Sequence, residues 1–190
     1  MKGVPALSLD HALWEPDCGI RAGGSICHDG ENLYVRLAAR EREIRAEYTA
    51  PPAPVHEDSC LEFFFMPEGE ERYLNFEINP NGCLHLGFGR NRYDREDALP
   101  PDPQETFRIR TCRTADGWEA AYRIPAGFLR KFYPGFTCTG TLRANVYKCG
   151  DKTAHPHYLA WNPVDTPAPD FHRPEYFGEM RFGEKTEESV

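Results

Sequence analysis

The sequence predicts an all-β protein, an antiparallel two-sheet β-sandwich with one short helix. Three observations carry that expectation. Aromatic residues are plentiful (12 Phe, 9 Tyr and 3 Trp among 190 residues) and so are turn formers (16 Gly, 17 Pro), a balance that suits short pleated strands. Apolar residues recur at every second position in one segment after another. Those segments follow one another at about ten-residue spacing with turn signals between them, as in a sandwich or barrel.

Leu33, Val35 and Leu37 alternate with Tyr34, Arg36 and Ala38, which predicts the first strand of the series. Leu61, Phe63 and Phe65 alternate with Cys60, Glu62 and Phe64, and Leu74, Phe76 and Ile78 with Tyr73, Asn75, Glu77 and Asn79. Pro80-Asn81-Gly82 then supplies a turn, after which Leu84, Leu86 and Phe88 alternate with Cys83, His85 and Gly87. Further strands are predicted over 106–114, 117–124 and 140–149, with a last pair near 157–161 and 179–183. The helix is placed at Ala126–Phe132, since Pro125 suits a helix start. No repeat or linker interrupts the series, so residues 1–190 read as one domain, its core at about 13–183 and its acidic tail, 184–190, frayed.

Charge narrows the partners. Thirty acidic residues against 22 basic ones give a net charge of −8, and phosphate backbones need a basic face, so nucleic acid is excluded. No apolar run approaches the 18 or more residues of a membrane span, so no membrane partner is expected. The opening residues lack the apolar core and small-residue cleavage site of a secretory signal, which makes the expected location cytoplasmic. Seven cysteines (18, 27, 60, 83, 112, 138 and 149) include no C-x-x-C pair, which removes zinc-ribbon and thioredoxin chemistry. They read as small buried hydrophobes in a reducing compartment.

The alternation also sorts residues by face. In 60–88 one face is continuous hydrophobe, and opposite it stand Glu62, Asn75, Glu77, Asn79 and His85. In 141–149, Arg143, Asn145 and Tyr147 share a side. If these strands adjoin, one sheet carries a row of Glu, Asn, Arg and Tyr across an outer, water-touched surface. Asn is disfavoured in strands, yet Asn75, Asn79 and Asn145 all occupy them. Mixed donors and acceptors of this kind match a vicinal diol, so a polyhydroxylated ligand is the natural complement. The stretch 147–178 adds Tyr147, Tyr158, Trp161 and three histidines, and an aromatic ring can stack on the C–H face of a sugar. Trp161, at the end of a short strand, is the candidate stacking ring, with His157 beside it.

Other chemistry finds less support. His155-Pro156-His157 has the i, i+2 spacing of a chelating pair but no further ligand at a recognised spacing, so the metal ligands are unknown. Glu62 and Glu77 could form a glycosidase carboxylate pair, although a hydrated Glu on an open face is a poor general acid. No nucleophile elbow, phosphate loop or dinucleotide fingerprint occurs, and no catalytic residue is assigned.

The stretch His56–Phe65 resembles the D-S-x-x-E-x-F strand of carbohydrate-binding module family nine, and Tyr73–Asn79 looks like that family's next strand. Residues 145–151, Leu159–Pro163, Phe177–Phe182 and Leu13-Trp14 resemble its late strand, binding-loop tryptophan, closing strand and opening tryptophan. The resemblance runs over about 13–183 and implies a sugar-binding β-sandwich that accompanies xylanases and related glycosidases. It implies no cofactor beyond a structural calcium ion, and here only Asp10 closely precedes Trp14. Matched by position, Trp161 is one stacking tryptophan, Glu62 the acidic contact and Asn79 the amide contact. The second stacking tryptophan falls at about Val55 and the arginine at Glu77, two departures for which Tyr147, Tyr158 or His56 would have to compensate.

The expectation is therefore a non-catalytic module that binds a mono- or oligosaccharide in sugar catabolism, with a glycosidase as partner. Its site would comprise Trp161, Glu62, Asn79, Glu77, Asn75, Arg143, Asn145, Tyr147 and His157. Two readings stay open beside it: a glycoside hydrolase using Glu62 and Glu77, and an interaction module whose Tyr147, Tyr158, Trp161 and Phe171 face a partner protein.

Overall fold

The computed structural model describes residues 4–183, so the predicted tail at 184–190 lies outside the described residues. In chain order the strands are β1 (Leu7–Ser8), β2 (His11–Ala12), β3 (Arg21–His28), β4 (Asn32–Arg40), β5 (Cys60–Pro67), β6 (Tyr73–Ile78) and β7 (Leu84–Gly89). They continue as β8 (Arg95–Asp97), β9 (Arg110–Arg113), β10 (Gly117–Pro125), β11 (Thr141–Cys149), β12 (Tyr158–Ala160) and β13 (Gly178–Arg181). Two short helices, α1 (Pro103–Phe107) and α2 (Ala126–Leu129), join them. One sheet has the order β1-β3-β4-β10-β9; the other runs β2-β12-β11-β5-β6-β7-β8, with β13 also on β11. Every pairing between these strands is antiparallel. The fold is the predicted two-sheet sandwich.

Local chemistry explains most boundaries. Between β6 and β7, Asn79 Oδ1 accepts from the amides of Asn81 (3.1 Å) and Cys83 (3.0 Å), while Gly82 takes φ +77°, where other residues are strained. Strand β3 escapes the sequence reading because Arg-Ala-Gly-Gly-Ser-Ile-Cys-His has no alternation. Its glycines instead allow close approach to β4: a Cβ on Gly24 would lie 2.1 Å from the Arg36 carbonyl oxygen. The strand predicted at 106–114 is cut to β9, since Asp102 accepts from the Glu105 amide at 2.8 Å and starts α1 with Pro103 at its first turn. The predicted helix at 126–132 is α2, closed by bonds from the Phe132 and Tyr133 amides to the Leu129 carbonyl.

The core lies between the sheets. Leu33, Val35, Leu37 and Ala39 of β4 and Trp118, Ala120, Tyr122 and Ile124 of β10 meet Phe63, Phe65 and Phe76 of the facing sheet. Phe63 stacks on Phe65 with centroids 4.6 Å apart, and Phe76 on Tyr122 at 5.8 Å. Each fully buried side chain of this size contributes about 1.5–3 kcal/mol.

The opposite face of the larger sheet corrects the expectation of a water-touched surface. Glu62, Asn75, Glu77, Asn79, Asn145 and Tyr147 are each no more than 3% exposed. The chain after β12 folds back over them. Phe171 stacks on Tyr147 (4.0 Å, 9° between planes), and His172 lies against Phe64 and is hydrogen-bonded to the Tyr73 hydroxyl at 2.8 Å. Asn145 clamps the start of that cover, donating to the Asn162 carbonyl and accepting from its amide, both at 2.9 Å. Arg143 holds the far end through the Pro174 carbonyl at 2.8 Å. The proposed protein-facing aromatic patch is also corrected: Tyr147 and Phe171 are buried on each other, and the exposed large hydrophobics among the described residues are Tyr34 and Tyr93.

Candidate functional site

The cover leaves one end of the polar face open, and there a cavity of about 160 Å³ descends to the sheet. Its floor is set by register. Glu62 of β5 stands directly opposite Glu77 of β6, and Cys149 of β11 directly opposite Cys60 of β5. The Cys149 thiol donates to Glu62 Oε1 at 2.9 Å. Asp151, just past β11, is fixed by its amide on the His56 carbonyl at 3.1 Å and also lines the cavity, as does the His56 side chain.

One wall is aromatic. Trp14, Tyr158 and Phe171 meet there, with Trp14 edge-on to Tyr158 and tilted against Phe171, both with centroids 5.4 Å apart. Trp14 sits at φ +56°, in the centre of a three-residue turn closed by Glu15 N–H to the Leu13 carbonyl at 2.6 Å. A left-handed backbone is strained for so bulky a residue, and strain of this kind concentrates at binding sites. The ring is held by its Nε1, which donates to the Thr166 carbonyl at 2.8 Å.

The other wall is basic and rigid. Arg95 of β8 lies 3.8 Å from Glu77 Oε1, 3.1 Å from His172 Nε2 and 3.2 Å from His85 Nε2. Arg92 pairs with Asp170 at 3.3 Å and donates to the Pro169 carbonyl at 3.1 Å. Burial, followed by the Arg95 charge, drives His85 down to about 4 and His172 down to about 2, so both imidazoles are neutral at pH 7. Burial pushes Glu62 well above the ordinary carboxylate range, with Glu77 adding in the same direction. Glu77 is raised by burial against the opposing pull of Arg95, and Asp151 is raised by burial against that of His56. The floor can thus present carboxylic O–H donors as well as acceptors, next to guanidinium donors, within about 160 Å³.

Of the nine predicted site residues, Glu62 and Glu77 line this cavity. Asn75 donates to Glu77 Oε1 at 2.8 Å from beneath. Asn79 spends its amide on the Tyr48 carbonyl (2.7 Å) and Asp58 (2.9 Å), so it belongs to the scaffold, as do Arg143, Asn145 and Tyr147. His157 points to the other side of the sheet, 2.6 Å from Lys148 Nζ. Trp161 is half-buried with its amide on the Val146 carbonyl, and it does not line the cavity. Val55 is fully buried. The cavity also takes in Trp14, Arg92, Arg95 and Asp151, to which sequence reasoning gave no part in the site, and His56, Tyr158 and Phe171, which it named in other roles.

The sequence profile of carbohydrate-binding family 9 matches residues 4–182. The chain belongs to carbohydrate-binding family 9. Members of the family are non-catalytic binding modules. Among solved structures, a Bacteroides uniformis protein proposed to bind carbohydrate is 28% identical with a TM-score of 0.83, over 95% of this chain and 87% of its own. A family 9 module from Caldicellulosiruptor kristjanssonii, solved with cellotriose, shares the fold (TM-score 0.65, 11% identity, 98% of this chain and 86% of its own). The same module with glucose superposes equally (TM-score 0.65, 12% identity, 98% and 87%). The UPF0462 protein C4orf33 homologs of Rattus norvegicus and Mus musculus are each 27% identical over 176 residues, 80% of this chain, covering 80% and 83% of their own lengths.

The structural calcium that the family resemblance implies does not fit the residues near Trp14. Asp10 bonds Ser8 at 2.5 Å and Asp17 is committed to Arg21 at 2.9 Å, whereas calcium takes about 6–8 oxygen ligands from converging carboxylates and carbonyls.

Proposed function

We propose that this chain binds the end of a saccharide, one sugar ring deep, in the cavity between Trp14, Tyr158 and Phe171 and the Glu62–Glu77 floor. One observation carries the proposal: aromatic side chains form one wall of a pocket whose floor and opposite wall supply converging hydroxyl-matching donors and acceptors. Size sets the depth. Sites that enclose drug-sized ligands run to about 300–1,000 Å³, and this one has about 160 Å³. A mono- or oligosaccharide would enter by one terminal ring, with any further rings outside. The stacking role passes from Trp161 to Trp14 and its neighbours, which takes the place of the aromatic lost at Val55, and Arg95 supplies the guanidinium lost at Glu77. A sequence with seven cysteines and no C-x-x-C pair supports a cytoplasmic, reducing setting, and family membership supports work beside glycoside-degrading enzymes in sugar catabolism.

Tryptophan fluorescence titrated with mono- and oligosaccharides tests this. A saturable shift is expected for sugars with a free terminal ring. Trp14→Ala should weaken binding about tenfold or more, the equivalent of losing roughly 1–3 kcal/mol of ring burial. Trp161→Ala should leave the affinity in place. A flat response across the panel, or loss through Trp161→Ala alone, would overturn the assignment.

A further inference from the structure

The cavity floor has a second chemistry, which shares Glu62 with hydroxyl recognition and adds two thiols to it. Cys60 and Cys149 face each other across the β5–β11 ladder, and Glu62 is two residues from Cys60 on the same face. The two thiol sulfurs and a Glu62 carboxylate oxygen all lie within 4.8 Å of one another, and all three side chains are buried. Among the described residues this is the group of three or more His, Cys, Asp or Glu ligand atoms gathered so closely. We propose that Cys60, Glu62 and Cys149 bind a single Zn²⁺ ion through two thiolates and one carboxylate, its fourth position open to the cavity.

The donor set selects the metal. Thiolates are soft ligands that favour zinc over calcium or magnesium, and three protein ligands plus an open position is an established zinc arrangement. The distances also suit it. With Zn–S of about 2.3 Å and Zn–O of about 2.1 Å at tetrahedral angles, the donors stand roughly 3.6–3.8 Å apart. The Cys149–Glu62 pair, now 2.9 Å apart through the thiol proton, would open by less than about 1 Å as the ion replaces that proton. Glu62 and Cys149 line the cavity, so the ion has an entry path and the open position has a direction.

The electrostatics support the same conclusion. Two thiols and the carboxyls of Glu62, Glu77 and Asp151 crowd one buried end of the sheet, facing Arg95 as the nearest fixed cation on that side. A divalent cation would release both thiol protons, and the Glu62 proton where it is held, to solvent, leaving three anionic ligands around a 2+ charge. The site stands on these residues alone and does not depend on the saccharide reading.

The test uses the reduced full chain with its seven thiols counted, stripped of metal and titrated with Co²⁺ as a spectroscopic stand-in for Zn²⁺. Expected are one Co²⁺ per chain, a thiolate-to-cobalt charge-transfer band with tetrahedral visible bands, and bleaching of both by equimolar Zn²⁺. Cys60→Ser and Cys149→Ser should abolish the band, and Glu62→Gln should weaken Zn²⁺ binding by on the order of 100-fold or more, beyond the usual cost of an outer-shell change. The exposed Cys18 and Cys112, both replaced by Ser, should leave the band intact. Should a core cysteine variant not fold, the wild-type titration with the Cys18/Cys112 double variant still decides. No thiolate band in the folded, reduced protein would overturn the site. So would a band that vanishes in the Cys18/Cys112 variant, or a Cys60–Cys149 disulfide that forms under reductant in place of metal uptake.

Discussion

Lys148 and Cys149 are sequence neighbours on opposite faces of β11, and each sits in a buried polar cluster of a different kind. On the Lys148 side, groups match. Nζ lies 3.0 Å from Glu41 Oε2, an ion contact without hydrogen-bond alignment, and donates to the Cys149 carbonyl at 2.8 Å. It also lies 2.6 Å from His157 Nε2, while His157 Nδ1 faces the His155 carbonyl at 2.7 Å, which places the ring proton on Nδ1. Trp118 Nε1 donates to Glu41 Oε1 at 2.6 Å. Around Cys149, by contrast, acidic groups outnumber their partners. A cleft reaches both clusters, at Glu41 and His157 on one side and at Glu62 and Cys149 on the other. A matched cluster holds a fold together, whereas an unmatched one has interactions left for a ligand.

The comparison breaks most visibly at Lys148. Lys148→Met would take the ammonium from beside Glu41, whose side chain is about 1% exposed, at a cost of about 3–5 kcal/mol in urea unfolding. Adding Glu41→Leu should recover much of that loss, because an apolar pair of similar volume is often as stable as a buried ion pair. Glu77→Gln, on the other side, should change stability by no more than about 1 kcal/mol, since it keeps the shape and removes a burdened carboxyl, while weakening saccharide binding. Equal stability losses for Lys148→Met and Glu77→Gln would erase the distinction between scaffold and site.

The next effect separates scaffold amides from site carboxyls on the same face. Asn79→Ala removes a buried side chain that serves two backbone amides, one carbonyl and Asp58, at about 1–3 kcal/mol by chemical denaturation, with saccharide affinity unmoved in the folded fraction. A loss of affinity larger than the change in folded fraction would bring Asn79 back into the site.

How much of this was legible follows from what a strand pattern encodes. Alternation at 33–38, 60–65, 73–79 and 84–88 carried the sandwich, because a half-buried pleat writes its two faces directly into sequence. The same alternation marked Asn75, Asn79 and Asn145 as unusual, but residue type alone does not say whether an amide awaits a ligand or clamps a loop. The cover at 162–177 decides that, and its irregular path leaves no period to read. Trp14 was visible as the family's opening tryptophan, yet its place over the cavity depends on a left-handed turn. Arg92 and Arg95 carry no signal at all, lying in or beside the irregular stretch between β7 and β8. The Asp58-Ser59 pair of the family resemblance works as an anchor, with Asp58 holding Arg45 and the amides of Glu47 and Tyr48 at 3.0 Å.

The smallest effect is one of slope, and it has opposite signs for His157 and for the Glu62–Glu77 pair. His157 is held down to about 4 by burial and by Lys148, against about 6.5 in an unfolded chain. A depressed base is favoured neutral in the folded state, so its contribution is complete above pH 6.5 and is lost as pH falls toward 4. Glu62 and Glu77 are raised, so the folded state holds their protons longer than the unfolded one. Their contribution is complete below the ordinary carboxyl range and is lost as pH climbs through the raised values. Between pH 6.5 and 4 the Glu62–Glu77 pair therefore pulls the stability curve against His157, while His85 and His172 beside the cavity pull with His157. Replacing His157 with Gln should remove its share of the acid-side loss, and Glu62→Gln its share of the alkaline-side loss, in denaturant midpoints measured at half-unit steps. If Glu62→Gln left the curve unchanged while saccharide binding disappeared, the floor would be carrying its proton balance on Glu77 and Asp151 instead, and the cavity would still be the unmatched cluster of the two.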